Sequence, residues 1–165
     1  MNLPPYKTFP QISNERILLR KVQPLDMSDL MEISFYDALQ AKTESEAQEM
    51  QDKINLDYRN GNSIHWGIVD RSTSKIVGTC GYYRGFENER GELGCILLPQ
   101  FRGQGFMSAA MQLAIDFGLK NIGLQKIWAA TDQNNKETIK MLTRLDFKKT
   151  SEKDNGELLF ELKPF

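Results

Sequence analysis

The chain has 165 residues, 40% hydrophobic and 26% charged, enough apolar surface to bury a core without disulfide or metal staples, which argues against disorder and a fibrous class. Its 21 Lys and Arg face 22 Asp and Glu for a formal net charge of -1, with no basic block, so nucleic-acid binding through phosphate neutralisation is disfavoured. Two cysteines, Cys80 and Cys95, without CxxC spacing and with His65 as the one histidine, make a metal site implausible, and the absence of both an apolar run near about 18 residues and a basic-then-apolar start leads us to expect a cytoplasmic protein with free thiols and no membrane partner.

Gly and Pro are scattered singly as turn punctuation, so residues 1–165 read as one domain. Arg16-Ile17-Leu18-Leu19-Arg20 alternates as a strand, and Asp26 with Asp29 suits the cap of a short helix carrying Leu30, Met31 and Ile33. Thr43 and Glu46 have the spacing of a reciprocal capping box. Ala47, Met50, Ile54 and Tyr58 then recur at helical intervals until Gly61.

Beyond Gly61 the pattern turns to strands: Ile64–Val69, a polar turn at Arg71–Ser74, then Ile76–Tyr83 as the second arm of a hairpin. Leu93–Leu98 forms a third strand after a Glu87–Gly91 turn, stopped by Pro99, which cannot donate to a ladder. Phe106 to Asn121 reads as one mostly buried helix, polar only along Ser108, Gln112, Asp116 and Lys120. Ile127–Ala130 is a buried strand, Lys136–Leu145 a helix with Ile139, Leu142 and Leu145 inward, and the chain closes in a hairpin around Asp154-Asn155-Gly156. This mixed order, with a long antiparallel run in the middle, is an α/β arrangement of the α+β kind. It fits neither a doubly wound parallel sheet nor an all-β sandwich.

The most informative stretch is Ile96-Leu97-Leu98-Pro99-Gln100-Phe101-Arg102-Gly103-Gln104-Gly105-Phe106-Met107-Ser108. A strand ends, a glycine-containing loop follows and a helix begins. Gly103 and Gly105 can take positive φ, letting successive backbone N–H groups converge at the positive end of the helix dipole, where a phosphate binds. Ser108 stands where a dinucleotide fingerprint would need its third glycine, and no G-K-[ST] follows to make a Walker loop.

Gln100-Phe101-Arg102-Gly103-Gln104-Gly105 resembles the Q/R-x-x-G-x-G/A signature of the GNAT superfamily of acyl-CoA-dependent N-acetyltransferases. Arg16–Arg20, Trp66-Gly67-Ile68, Ile76-Val77-Gly78, Glu92-Leu93-Gly94 and Asn135-x-x-Thr138 with Leu145-Asp146-Phe147 resemble, in order, landmarks of its ribosomal-protein N-terminal acetyltransferase (RimJ/RimL-like) branch. The resemblance covers nearly the whole chain. It implies a mixed, mostly antiparallel twisted sheet, flanked by helices on both faces, whose strands Leu93–Leu98 and Ile127–Ala130 splay to admit the pantetheine of acetyl-CoA. It also implies that the backbone of Ile96, Leu97 and Leu98 bonds the pantetheine, that the amides of Arg102, Gly103, Gln104, Gly105, Phe106 and Met107 hold the pyrophosphate, that Ser108 adds a hydroxyl donor, and that Asn135 adds a hydrogen bond to the pantetheine while capping its helix.

Acetylating an amine requires a neutral nucleophile, donors for the oxyanion and a proton for the departing thiolate. Glu92 is the candidate base; the competing reading makes it a solvated carboxylate or a partner of Arg90. Many relatives carry a tyrosine as thiolate acid where this chain has Leu142; the resemblance implies Thr138, which matches a serine suggested for that role in the RimL-like branch, as the candidate acid beside its capping role. Asp146 replaces a usual glycine and tolerates left-handed geometry better than most residues. His65, Cys80 and Cys95 read as packing groups. The acidic residues Glu44, Glu46, Glu49, Asp52 and Asp57 read as a solvated helix face that would also draw in a cationic amine.

The resemblance thus implies transfer of an acetyl group from acetyl-CoA to a primary amine by direct attack, most naturally to a protein or peptide N-terminus, by a monomer or homodimer. The alternatives are a polyamine or antibiotic acetyltransferase and a catalytically silent CoA-binding module.

Overall fold

The structure, a computed structural model, describes residues 1–162. Eight strands pair into one sheet: β1 (Ile12–Ser13), β2 (Ile17–Lys21), β5 (Ile64–Asp70), β6 (Ile76–Tyr83), β7 (Arg90–Leu97), β8 (Lys126–Asp132), β9 (Lys148–Glu152) and β10 (Glu157–Leu162). Their spatial order is β1-β2-β5-β6-β7-β8-β10-β9, and a separate two-stranded hairpin joins β3 (Phe35–Tyr36) to β4 (Leu39–Gln40). Every pairing is antiparallel except β7 with β8. The helices are α1 (Met27–Leu30, between single 3₁₀ turns), α2 (Glu44–Arg59), α3 (Phe106–Phe117) and α4 (Lys136–Arg144).

Strands covered on both faces need apolar residues nearly throughout, and Ile76 to Tyr82 of β6 are all buried. One core gathers Ile64, Trp66, Tyr82, Leu93 and Ile127 from the sheet with Ala110, Met111 and Ala114 of α3 and Met141 and Leu142 of α4. A smaller core on the other face unites Met27 and Leu30 of α1 and Ala47 of α2 with Val22, Ile76 and Leu98. The helices therefore flank both faces, as expected from the resemblance. β9 is exposed at every residue and carries Lys148 and Lys149, charges that blunt a free sheet edge.

Local signals are realised with some shifts. Thr43 Oγ1 accepts from the Glu46 amide at 3.1 Å, but the Glu46 carboxylate returns to the amide of Lys42, one residue before the cap. Asp26 stands at the cap of α1 without capping it, because its carboxylate takes both guanidinium nitrogens of Arg20, at 2.8 and 2.9 Å, and the Gln23 amide at 2.7 Å. β7 starts at Arg90, three residues before the expected Leu93, after a turn in which Asn88 and Glu89 have positive φ.

The continuous helix expected to Asn121 ends at Phe117 and widens into a π-type turn over Gly118–Ile122. A Cβ on Gly118 would lie 2.2 Å from the Tyr82 hydroxyl, which donates to the Ala114 carbonyl at 2.8 Å; that close approach admits only glycine.

Candidate active site

The strand register opens the site. β7 and β8 pair only at Arg90–Lys126, Gly91–Ile127 and Glu92–Trp128, whereas β7 remains paired to β6 as far as Leu97. Past Glu92 the edge of β7 turned away from β6 has no strand beside it. An extended, amide-rich ligand can pair with such an edge as a further strand would. The resemblance assigned the pantetheine contacts of Ile96, Leu97 and Leu98 to this segment.

Directly after β7 a 3₁₀ turn, Pro99–Phe101, leads through Arg102, Gly103, Gln104 and Gly105 into α3. Gly103 and Gly105 are left-handed, with φ of 75° and 82°. Because Gly105 occupies the cap position of α3 and supplies no capping side chain, the first amides of the helix, Phe106, Met107 and Ser108, face outward at the positive end of the dipole. A Cβ on Gly103 would meet nothing within 4 Å, so the space above it is open for a ligand, while one on Gly105 would lie 2.8 Å from a guanidinium nitrogen of Arg16. Arg16 also stacks over the Phe106 ring at 4.2 Å, which places a cation at the same helix end.

An open glycine loop, an uncapped helix terminus and a guanidinium fit a pyrophosphate group. Arg102 is partly engaged within the loop: its amide donates to the Pro99 carbonyl and its guanidinium to the Leu97 carbonyl, both at 3.3 Å. Gln104 Nε2 donates to the Gln100 carbonyl at 3.1 Å.

On the sheet face that carries α1 and α2, Tyr83 of β6 lies opposite Glu92 of β7, and Trp128 of β8 lies on the other side of Glu92. The Glu92 carboxylate is mostly shielded and receives Arg84 Nη1 at 3.0 Å on each oxygen. Burial raises its pKa above the usual carboxylate range, against the pull of Arg84. The competing structural partner is thus Arg84, across the β6–β7 turn; Arg90 instead reaches Glu161 of β10 at 3.5 Å. A carboxylate of raised pKa beside a cavity is a candidate proton acceptor.

The second half of the expected machinery lies on α4. Asn135 caps the helix, its Oδ1 accepting from the Thr138 amide at 3.2 Å, and the partly buried Thr138 side chain stands in the first turn. Leu142 is buried in the core, 1% exposed. Asp146 adopts φ of 66°, and the bonds of Asp146 N to Thr143 O and Phe147 N to Leu142 O close the helix in a Schellman motif.

A cavity of about 700 Å³ opens beside Glu92, bordered by the β3–β4 hairpin, Asp57 of α2 and Tyr83, Arg84 and Glu87. Among the five α2 carboxylates singled out above, Asp57 alone borders it, where it accepts from Tyr36 at 2.9 Å. His65 is not free to act as a base at the cavity: its Nδ1 is 2.9 Å from the Tyr83 hydroxyl, and burial lowers its pKa to about 4. Cys80 and Cys95 face each other across β6 and β7 as free thiols. Among the described residues, no group of three or more His, Cys, Asp and Glu side chains is arranged to hold a metal ion, and no helix is long and apolar enough to cross a membrane.

Tyr83, Arg84 and the hairpin from Phe35 to Gln40 escaped the sequence reading. A strand-end Tyr-Arg-Gly and a hairpin built on Asp37 and Ala38, both with positive φ, carry no turn signature strong enough to reveal them.

Three comparisons agree with this geometry. A family model described as an acetyltransferase (GNAT) domain matches residues 16–148. The chain is 32% identical over 159 residues to an uncharacterised N-acetyltransferase, p20, of Bacillus licheniformis, covering 88% of this chain and 89% of that one. Among solved structures it is similar to a ribosomal-protein-S5-alanine acetyltransferase from Vibrio fischeri, with a TM-score of 0.76, 21% identity and 93% and 96% of the two chains covered. It is also similar to a dodecameric spermidine N-acetyltransferase from Vibrio cholerae, with a TM-score of 0.75, 14% identity and 91% and 95% covered. At these identities the two structures speak for the fold.

Proposed function

The chain belongs to the GNAT acetyltransferase family, and from that premise we propose that it moves an acetyl group from acetyl-CoA by direct attack onto a primary amine, with a protein or peptide N-terminus as the acceptor. The observation that carries this reading is the parting of β7 from β8 just past Glu92, which joins the glycine loop at one end to the half-buried carboxylate at the other.

Acetyl-CoA supplies an activated thioester. The edge of β7 past Glu92, at Ile96 and Leu97, holds the pantetheine as a strand would, whereas Leu98 spends its amide on the Val77 carbonyl and its carbonyl on the Phe101 amide. The amides from Arg102 to Met107, with the Ser108 hydroxyl, hold the pyrophosphate at the start of α3. Asn135 adds a hydrogen bond to the pantetheine. Glu92 takes the amine proton, directly or through a water molecule, as the new C–N bond forms. The Thr138 hydroxyl donates a hydrogen bond to the sulfur as the C–S bond breaks, and the departing thiolate takes its proton from water.

Support for an N-terminal acceptor comes from the fold shared with the Vibrio fischeri enzyme and from the room beside Glu92, about 700 Å³, open enough for a peptide segment. A polyamine is the second reading, favoured by the carboxylates of Asp37, Asp57 and Glu87 around the same cavity and by the fold shared with the spermidine enzyme.

Thiol release from acetyl-CoA, compared for peptides with free and blocked N-termini, spermidine and an aminoglycoside, tests the proposal. Free N-termini are expected to give the highest kcat/KM and blocked ones none. A tenfold preference for either small amine would overturn the acceptor, and no turnover with any amine would leave a CoA-binding module.

A further inference from the structure

A second, smaller cavity of about 250 Å³ lies on the α1/α2 face of the sheet, beside the cavity that Glu92 borders, and Phe35, Ile54 and Tyr83 line both. Strand alternation puts Glu92, Gly94 and Ile96 of β7 on one face, so Gly94 and Ile96 continue the cavity floor in line with the candidate base. The Tyr83 ring lies against Gly94: a Cβ there would be 3.1 Å from the ring, and glycine leaves the ring room to reach His65 with its hydroxyl. The remaining walls are largely apolar, with Ile33, Ala47 and Met50 prominent.

Size and polarity decide what fits. Sites for whole drug-like ligands run to about 300–1,000 Å³, whereas an apolar cavity of about 150 Å³ accommodates benzene. A volume between these suits one side chain. Among the described residues no Asp, Glu, Lys or Arg lines the cavity, and three of its polar side chains are engaged with the protein: Ser34 donates to the Leu30 carbonyl, Gln51 to Asn55, and His65 bonds Tyr83, while Thr79 adds one small hydroxyl. A charged substituent placed there would lose its hydration with no opposite charge to meet it.

We infer that this cavity is the subsite for the side chain on the carbon bearing the reacting amine, and that it selects an apolar side chain of leucine, methionine or phenylalanine size. The inference rests on the N-terminal acceptor proposed above. It makes the first residue of the acceptor the specificity determinant, with the amine at Glu92 and the side chain directed over Gly94 and Tyr83.

The test is kcat/KM for peptides identical except for the first residue, Leu, Met, Phe, Ala, Ser or Lys, with spermidine alongside. A methylene in a hydrophobic pocket is worth about 10–200-fold, so Leu, Met and Phe are expected to exceed Ala, Ser and Lys at least tenfold. Met50→Trp, which fills the cavity, is expected to lower the Leu-to-Ala ratio at least tenfold, with CoA affinity by calorimetry as the check that the variant is folded. Acetylation of the peptides without that preference would overturn the subsite and leave the N-terminal acceptor standing. Turnover of spermidine alone would overturn both.

Discussion

Glu92 owes its proposed role to two opposed influences on one carboxylate. Burial raises its pKa, and the Arg84 guanidinium 3.0 Å away opposes the rise. A proton acceptor works only when ionised, so the acid limb of the kcat/KM profile should follow this group. Removing the cation by Arg84→Ala lets the pKa climb further and should move the limb to higher pH. Glu92→Gln should abolish the limb and lower kcat/KM by about 10²–10⁴. An acid limb unmoved in Arg84→Ala would detach it from Glu92. At the same scale, burial lowers the pKa of His65 from its ordinary 6.5 to about 4. Between those two values the unfolded chain binds a proton that the folded chain refuses. Stability is therefore fully present above the unfolded pKa and falls as pH drops from about 6.5 to about 4, by about 3 kcal/mol at about 1.36 kcal/mol per pKa unit. Thermal melts from pH 7 to pH 4.5 should show a shallower loss for His65→Gln than for the wild type; parallel curves would assign the acid sensitivity elsewhere. Sequence reading found both residues by type and position. Arg84 and Tyr83 were beyond it, because what matters about them is a partner across a turn or one strand away.

At the scale of elements, signals confined to a few neighbouring residues survived folding. Thr43 caps α2, Asn135 caps α4 and Asp146 takes the left-handed position after α4, because each needs only backbone within three or four residues. The glycine loop belongs with these. Gly103→Val places a β-branched residue at φ of 75° and a side chain in the open space above the loop. Calorimetry should show CoA affinity reduced at least tenfold with the circular dichroism spectrum retained, and unchanged affinity would remove the loop from the binding site. Expectations failed where a distant element competed. Arg20 draws the Asp26 carboxylate from its capping role, and the Tyr82 hydroxyl, from a strand beneath α3, sits where Gly118 allows the helix to widen.

Across the whole molecule, the consequential feature is a sheet that is continuous at one end of the β7–β8 junction and open at the other. Filling the gap with CoA should protect amides along Leu93–Leu97 from hydrogen exchange more than those of the distant β2–β5 pair. At 100 times Kd, ligand binding should stabilise the fold by about 2.7 kcal/mol. Uniform protection at every strand would argue against strand-like docking in the gap. The chain's own order of residues determined the alternation of strands and helices, most of the caps, the glycine loop before α3 and the family, since these depend on local periodicity and backbone geometry. Tertiary structure alone decided that Arg84 rather than Arg90 meets Glu92, that the Tyr83 ring lies over Gly94 to reach His65, and that the β3–β4 hairpin walls the cavity beside Glu92. Those arrangements join residues far apart along the chain or on neighbouring strands, and their energies come from burial and register, which exist only once the sheet and its two helical layers have closed around them.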